Sequence, residues 1–296
     1  MRIEKVYFEA EDGLELVGLL HTSEERNDDE VVISVHGMGS NCLKKRDDII
    51  AKTVTDNKIS YFCFNNRGQG LINTFNTRDG KLIKGTVFED VTDSYYDIVG
   101  AIKKLIEMGY KKIHIQGHSL GSTKTVYTYN KLIKAEQFDI LKYIKSIILL
   151  SLVDVVDVMN FTIKCNPHTD IVKIAKEMES AGNNEFIIET RNPFLPYVSV
   201  GTFIRYYEHN KSFDFVRYND ENFDYKELSN IDIPLFMRWG NNRELISVPA
   251  DQVVSVCKKK IKNDFKDIGY IDGANHNYTG KEQILANEIL DFIKRT

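Results

Sequence analysis

The chain has 296 residues, 42% of them apolar and 28% charged, the composition of a globular protein with a sizeable core. A formal net charge of −4 and a pI near 6.0 argue against nucleic acid or an anionic membrane as a partner. No stretch has the length of a membrane span, and residues 1–13 lack the apolar core of a signal peptide. Cys42, Cys63, Cys165 and Cys257 are scattered without C-x-x-C spacing and read as reduced thiols, so a cytoplasmic location is expected.

Residues 3–11 and 14–22 alternate apolar and polar side chains around Asp12-Gly13, which predicts a pair of strands. After an acidic loop, residues 24–30, the run Val31-Val32-Ile33-Ser34-Val35 predicts a strand covered on both faces. It ends in His36-Gly37-Met38-Gly39-Ser40. This glycine-rich loop has neither phosphate-loop nor dinucleotide spacing, but the Met38 amide suits a donor to an oxyanion. An amphipathic helix over 44–57 and a strand over 59–64 follow, and the strand runs into Asn65-Asn66-Arg67-Gly68-Gln69-Gly70. Val91, Tyr95, Ile98, Ile102 and Leu105 recur at helical spacing over 89–108, with Glu89, Asp90 and Asp93 favouring the start and Gly109 the end.

Next comes a β-branched run (Ile113, Ile115) that ends in Gly117-His118-Ser119-Leu120-Gly121 and passes into a helical pattern. Strand, G-x-S-x-G and helix together predict a nucleophile elbow, a sharp strained turn that lifts the Ser119 hydroxyl out of a sheet. Gly117 and Gly121 would allow close backbone approach, and the Leu120 amide at the helix start would face a developing oxyanion. With a further buried strand over 146–153, the alternation of strands and helices predicts an α/β fold. Its sheet should be mostly parallel, covered on both faces, with ligands bound beyond the strands' carboxyl ends.

The alternation stops at Asp154. Residues 154–230 contain helical pieces (170–180 and 200–209) and many aromatics, among them Phe194, Tyr197, Phe203, Tyr206, Tyr207, Phe213 and Phe215. They are expected to form an inserted lid over Ser119, with part of these aromatics forming the insertion's own core. Residues 1–153 and 231–296 would make the main domain. The core pattern resumes with a strand over 234–239, a helix over 249–262, a strand over 266–271 and a last helix over 281–294.

A serine hydroxyl needs a base within hydrogen-bond reach, oriented in turn by an acid. In this architecture the chain order is serine, acid, histidine, and His276 lies late, between the last strand and the last helix. His36 precedes the glycine loop, and His118, inside the elbow, is expected to point away from the serine. Two acids follow strands from which they could reach His276: Glu244, the first choice, and Asp154, the alternative. Asp157 and Asp251 are further possibilities, and Asp272 is expected to support its own turn. No metal-ligand spacing and no cofactor motif is present, so none is expected.

Together, His36-Gly37-Met38-Gly39, Asn66-Arg67-Gly68-Gln69-Gly70, the elbow, residues 240–244 and Ala274-Asn275-His276-Asn277-Tyr278 resemble the α/β-hydrolase superfamily over nearly the whole chain outside the lid. Within it the sequence looks most like bacterial carboxylesterases related to feruloyl and siderophore esterases. The resemblance implies Ser119 as nucleophile, His276 as base, and Met38 and Leu120 as oxyanion donors. Many relatives carry G-x-x-D at the acid loop, and Arg243 stands at the aspartate's position here. Glu244 has then taken the role, or the acid has moved to Asp154, or the triad is impaired and the chain is a hydrolase-fold binding protein. The expected activity is cleavage of a small or medium, partly apolar carboxylic ester, and thioesters, lactones or peptides would call on the same residues.

Overall fold

Eight strands build the central sheet of the computed structural model, whose described residues are 1–24, 29–208 and 213–296. β1 (Arg2–Glu9) and β2 (Glu15–Thr22) pair antiparallel around Asp12-Gly13, with Gly13 in the left-handed region at φ 86°. β3 (Glu30–Val35) leads through α1 (Lys45–Thr55) to β4 (Ser60–Asn65). A small hairpin, β5 (Asn73–Thr77) and β6 (Gly80–Lys84), precedes α2 (Ser94–Glu107), which leads to β7 (Lys112–His118), α3 (Leu120–Lys134), the single turn α4 (Phe138–Leu141) and β8 (Ile144–Leu150). Outside the sheet follow α5 (Val155–Lys164), α6 (Ile171–Ser180), the hairpin β9 (Ile187–Asn192) and β10 (Leu195–Ser199), α7 (Val200–Tyr207) and α8 (Lys226–Ser229). The chain re-enters the sheet at β11 (Leu235–Gly240), then forms α9 (Ala250–Lys260), β12 (Lys266–Ile271) and α10 (Glu282–Ile293).

The order across the sheet is β1-β2-β4-β3-β7-β8-β11-β12, and every pairing from β4 to β12 is parallel. The period-two pleat divides the strand side chains between two cores. Val32, Tyr61, Cys63, Ile148 and Leu150 meet Ile50 and Val54 of α1 and Leu285 and Ile289 of α10 on one face. Val31, Ile33, Val35, Ile147 and Leu149 meet Ile98 and Ile102 of α2 and Val126 of α3 on the other. Continuous apolar strands are therefore a consequence of burial on both sides.

The structure differs from the sequence expectations in several places. The helix foreseen over 89–108 begins only at Ser94: Glu89 and Asp90 are extended, and 91–93 is a 3-10 turn. Glu89 is drawn away from a helix start because its carboxylate is buried in an ion pair with Lys124. The strand foreseen over 146–153 ends at Leu150, where Ser151 turns the chain at φ 50°; Leu152 and Val153 are buried without being part of a strand. The two hairpins outside the main sheet were not foreseen, since their strands are short and mixed in polarity. Residues 25–28 of the acidic loop and His209, expected to end a helix, lie outside the described residues. Among the described residues, no helix is long and apolar enough to cross a membrane.

Of the aromatics between β8 and β11, Phe203, Tyr206, Phe213 and Phe215 are buried in the core cluster that continues up from the sheet. Phe194 and Tyr197 are exposed.

Candidate active site

Ser119 sits between the end of β7 and the start of α3 with φ 56° and ψ −127°, a backbone conformation strained for any residue with a Cβ. Its amide donates to the Leu150 carbonyl (2.8 Å), tying the turn to the neighbouring strand. Three glycines make the turn possible. A Cβ on Gly117 would lie 2.4 Å from the Gly121 carbonyl oxygen, and one on Gly121 would lie 2.1 Å from that of Val35. A Cβ on Gly37, across from the elbow, would lie 2.8 Å from the His118 carbonyl oxygen and 3.0 Å from the Ser119 Cβ. The Met38 loop is thereby packed directly on the elbow. The Leu120 amide, in the first turn of α3, has no acceptor among the described residues, nor has that of Met38.

Ser119, Met38, Leu120, His276 and Glu244 all line one cavity of about 800 Å³ at the carboxyl ends of the parallel strands. Its other walls come from α5, from the β9–β10 hairpin and from the loop after β11, with Met159, Phe161, Phe194 and Ile246 among the apolar contributors. Phe161 and Phe194 are largely exposed and face each other at 6.4 Å between ring centroids.

His276 Nδ1 is hydrogen-bonded to Glu244 Oε1, and the side chains are 12% and 3% exposed. Glu244 also accepts from the Leu245 amide at Oε1 (2.9 Å), and from the Gly240 amide (2.9 Å) and the Ser151 hydroxyl (2.8 Å) at Oε2. Burial would raise this carboxyl's pKa, but the His276 hydrogen bond and charge, with the two amides, bring it below the ordinary value. The carboxylate is thus anionic, saturated with donors and fixed in orientation. Arg243, immediately before it, takes a left-handed φ of 57°, which lets the loop turn Glu244 inward.

Asp154, the alternative acid, stands elsewhere. Its Oδ1 caps α5 by accepting from the amides of Val156 (3.0 Å) and Asp157 (3.2 Å), and its Oδ2 accepts from the Tyr218 amide (3.1 Å). Burial, with the nearby Asp157 charge, pushes its pKa up to about 6. Asp157 lines the cavity and accepts from the Ser247 hydroxyl, Asp272 accepts from the Asn241 side chain (2.8 Å), and Asp251 lies in the first turn of α9.

Three contributors were not recognised from sequence. His118 stands beside His276: its ring lies 4.9 Å from that of His276, and its Nε2–H donates to the His276 carbonyl (2.7 Å). Burial holds its pKa well below the ordinary histidine value, which keeps it a neutral donor. Ser151 bridges to Glu244, and its hydroxyl lies 3.0 Å from that of Tyr278, which donates to the Arg238 carbonyl (2.7 Å). Strand register brings these residues together, and nothing in their local sequence signals it. His36 is buried behind the Met38 loop. Among the described residues no group of three or more His, Cys, Asp or Glu is arranged to hold a metal ion.

A strained serine, a histidine held by a carboxylate and two unpartnered amides around one cavity on a parallel sheet define the class: the chain has the α/β-hydrolase fold. Solved structures of that fold align over its full length. Est1E from Butyrivibrio proteoclasticus, solved with ferulic acid bound, shares 15% identity over 98% of each chain at a TM-score of 0.65. The α/β hydrolase GrgF from Penicillium sp. sh18 shares 17% identity, covering 100% of this chain and 99% of its own, at 0.66. The Pyrococcus furiosus esterase PF2001 shares 17% identity, covering 99% of this chain and 91% of its own, at 0.60. No protein-family model and no curated protein sequence matches the chain.

Proposed function

We propose that this protein is a serine hydrolase that cleaves a carboxylic ester of a small or medium, partly apolar substrate through an acyl-enzyme. The observation that carries the reading is the convergence of the His276–Glu244 pair and the strained Ser119 on one cavity. In this mechanism Ser119 Oγ attacks the ester carbonyl while His276 takes its proton, and Glu244 holds the ring and stabilises the imidazolium. The Met38 and Leu120 amides receive the negative charge that develops on the carbonyl oxygen. Collapse breaks the ester C–O bond, and His276 returns the proton to the departing alcohol. Water then attacks the acyl-enzyme by the same route and releases the acid and free Ser119.

Glu244 is the acid in this proposal, since Asp154 is committed to capping α5 and to Tyr218. Residues 154–230 act as a lid: α5 and the β9–β10 hairpin supply cavity wall that the sheet domain lacks. The exposed Phe161–Phe194 pair at that wall suits an aromatic or acyl portion of the substrate. Est1E, which has the same fold, was solved with ferulic acid bound, which supports a small-molecule substrate of this kind.

The test is labelling with a fluorophosphonate probe, followed by mass spectrometry of the modified peptide. Rapid modification at Ser119 that is lost in His276→Ala is the expected result. A well-folded sample that is not labelled and turns over no ester would overturn the reading in favour of a binding protein.

A further inference from the structure

The motif Asn66-Arg67-Gly68-Gln69-Gly70 and the displaced Glu89 meet at a buried ion pair that the proposed chemistry leaves unused. Lys124, on the second turn of the elbow helix α3, places Nζ 2.5 Å from Glu89 Oε1, and each side chain is 1% exposed. Burying two opposite charges is unfavourable unless the geometry brings further hydrogen bonds, so a pair this deep calls for a reason. Gly68 packs against the carboxylate so closely that a Cβ there would lie 1.8 Å from Glu89 Oε1.

The pair leads to the oxyanion loop. Lys124 Nζ also donates to Asn66 Oδ1 (3.2 Å), which accepts from the Gly68 amide as well (3.0 Å). Asn66 in turn grips His36 twice: its Nδ2 donates to the His36 carbonyl (3.1 Å) and its main-chain amide donates to His36 Nε2 (3.1 Å). An accepting Nε2 requires the proton on Nδ1, which donates to the Gly37 carbonyl (2.9 Å). His36 must therefore stay neutral, and burial, reinforced by the Lys124 charge, lowers its pKa to about 3. Met38 follows directly after Gly37. On the other side, the Glu89 carbonyl accepts from Thr202 Oγ1 of α7 (3.2 Å), the helix that also carries the cavity-lining Tyr206.

We infer that Lys124 and Glu89 are positioning residues, which act through Asn66 and His36 to set the Met38 amide against the elbow and link that setting to α7. This rests on the serine-hydrolase reading, because an oxyanion donor is useful only if an oxyanion forms. A structural ion pair alone would not have to end on both faces of the His36 backbone and ring.

Lys124→Met by itself strands a buried carboxylate and is expected to unfold part of the sample, so two other variants make the test. Glu89→Gln/Lys124→Met removes both charges, and Asn66→Ala cuts the relay while leaving the pair intact. Removing one oxyanion donor outright lowers kcat about 10²–10³-fold, so misplacing one is expected to lower it about tenfold or more. KM for a p-nitrophenyl ester should stay within about threefold, and affinity for a trifluoromethyl ketone, which mimics the oxyanion, should fall in step with kcat. Amide hydrogen exchange in the peptide covering residues 36–41 should accelerate in both variants. If both variants, corrected for folded fraction, keep kcat, ketone affinity and loop exchange, the inference is overturned. If the unmodified protein neither labels nor turns over esters, the hydrolase reading fails instead; unchanged loop exchange in the variants would then still refute the positioning, and accelerated exchange would support it.

Discussion

Replacing Glu244 with glutamine keeps the side chain's shape but removes its charge and half of its acceptors. The carboxylate takes four donors, two on each oxygen: His276 and Leu245 on Oε1, Gly240 and Ser151 on Oε2. In the variant the amide nitrogen must face one of these pairs. With the oxygen kept toward His276, the Gly240 amide loses its acceptor, while Ser151 can turn its proton to the His276 carbonyl, 3.4 Å away. One lost hydrogen bond to a charged group corresponds to about 1.5–3 kcal/mol of stability. Turnover should suffer more, because the imidazolium that forms during attack loses its counter-charge. The protease precedent for such a change is a loss of about 10⁴ in kcat, or roughly 5 kcal/mol.

The assay is steady-state hydrolysis of a p-nitrophenyl ester beside urea unfolding, at neutral and at acid pH. Folding lowers the Glu244 pKa below its ordinary 4.5. The stability this brings is fully present above pH 4.5 and is lost as pH falls through the folded value. The glutamine variant lacks that contribution, so the two unfolding free energies should converge in acid. A folded Glu244→Gln protein that keeps turnover within tenfold of the parent would refute the reasoning, most decisively if Asp154→Asn were then severe.

Asp154→Asn should instead keep turnover within about tenfold, since asparagine still caps α5. The folded pKa of about 6 lies above the ordinary 3.8, so ionisation penalises the folded state. The parent should lose roughly 3 kcal/mol from this group as pH rises from below 4 to above 6, and urea titrations should find that slope missing in the variant. Gly121→Ala would drive a Cβ to 2.1 Å from the Val35 carbonyl oxygen, a backbone atom that cannot step aside; a loss of at least about 3 kcal/mol, or insoluble protein, is expected on expression and melting. Phe194→Ala removes an exposed ring from the cavity wall. It should leave stability within about 0.5 kcal/mol while lowering kcat/KM for aromatic esters roughly tenfold, and an equal loss on acetate esters would contradict a role in binding the apolar portion.

Local pattern by itself determined the strands of the main sheet, most of the helices and the elbow, because burial on both faces of a parallel sheet writes apolar runs into β3 and β8. The glycines were legible for the same reason: a turn that admits no Cβ can be read from residue type alone. Which carboxylate stands beside His276 was not legible, since Glu244 and Asp154 both follow strands. Only the course of the loop after β11, turning at Arg243, brings one of them to His276, while the start of α5 claims the other. His118, Ser151 and the Lys124–Glu89 pair were hidden for a related reason. Each makes its contact with a partner at least 35 residues away, and such a pairing exists only once strand order and register have been set by tertiary packing.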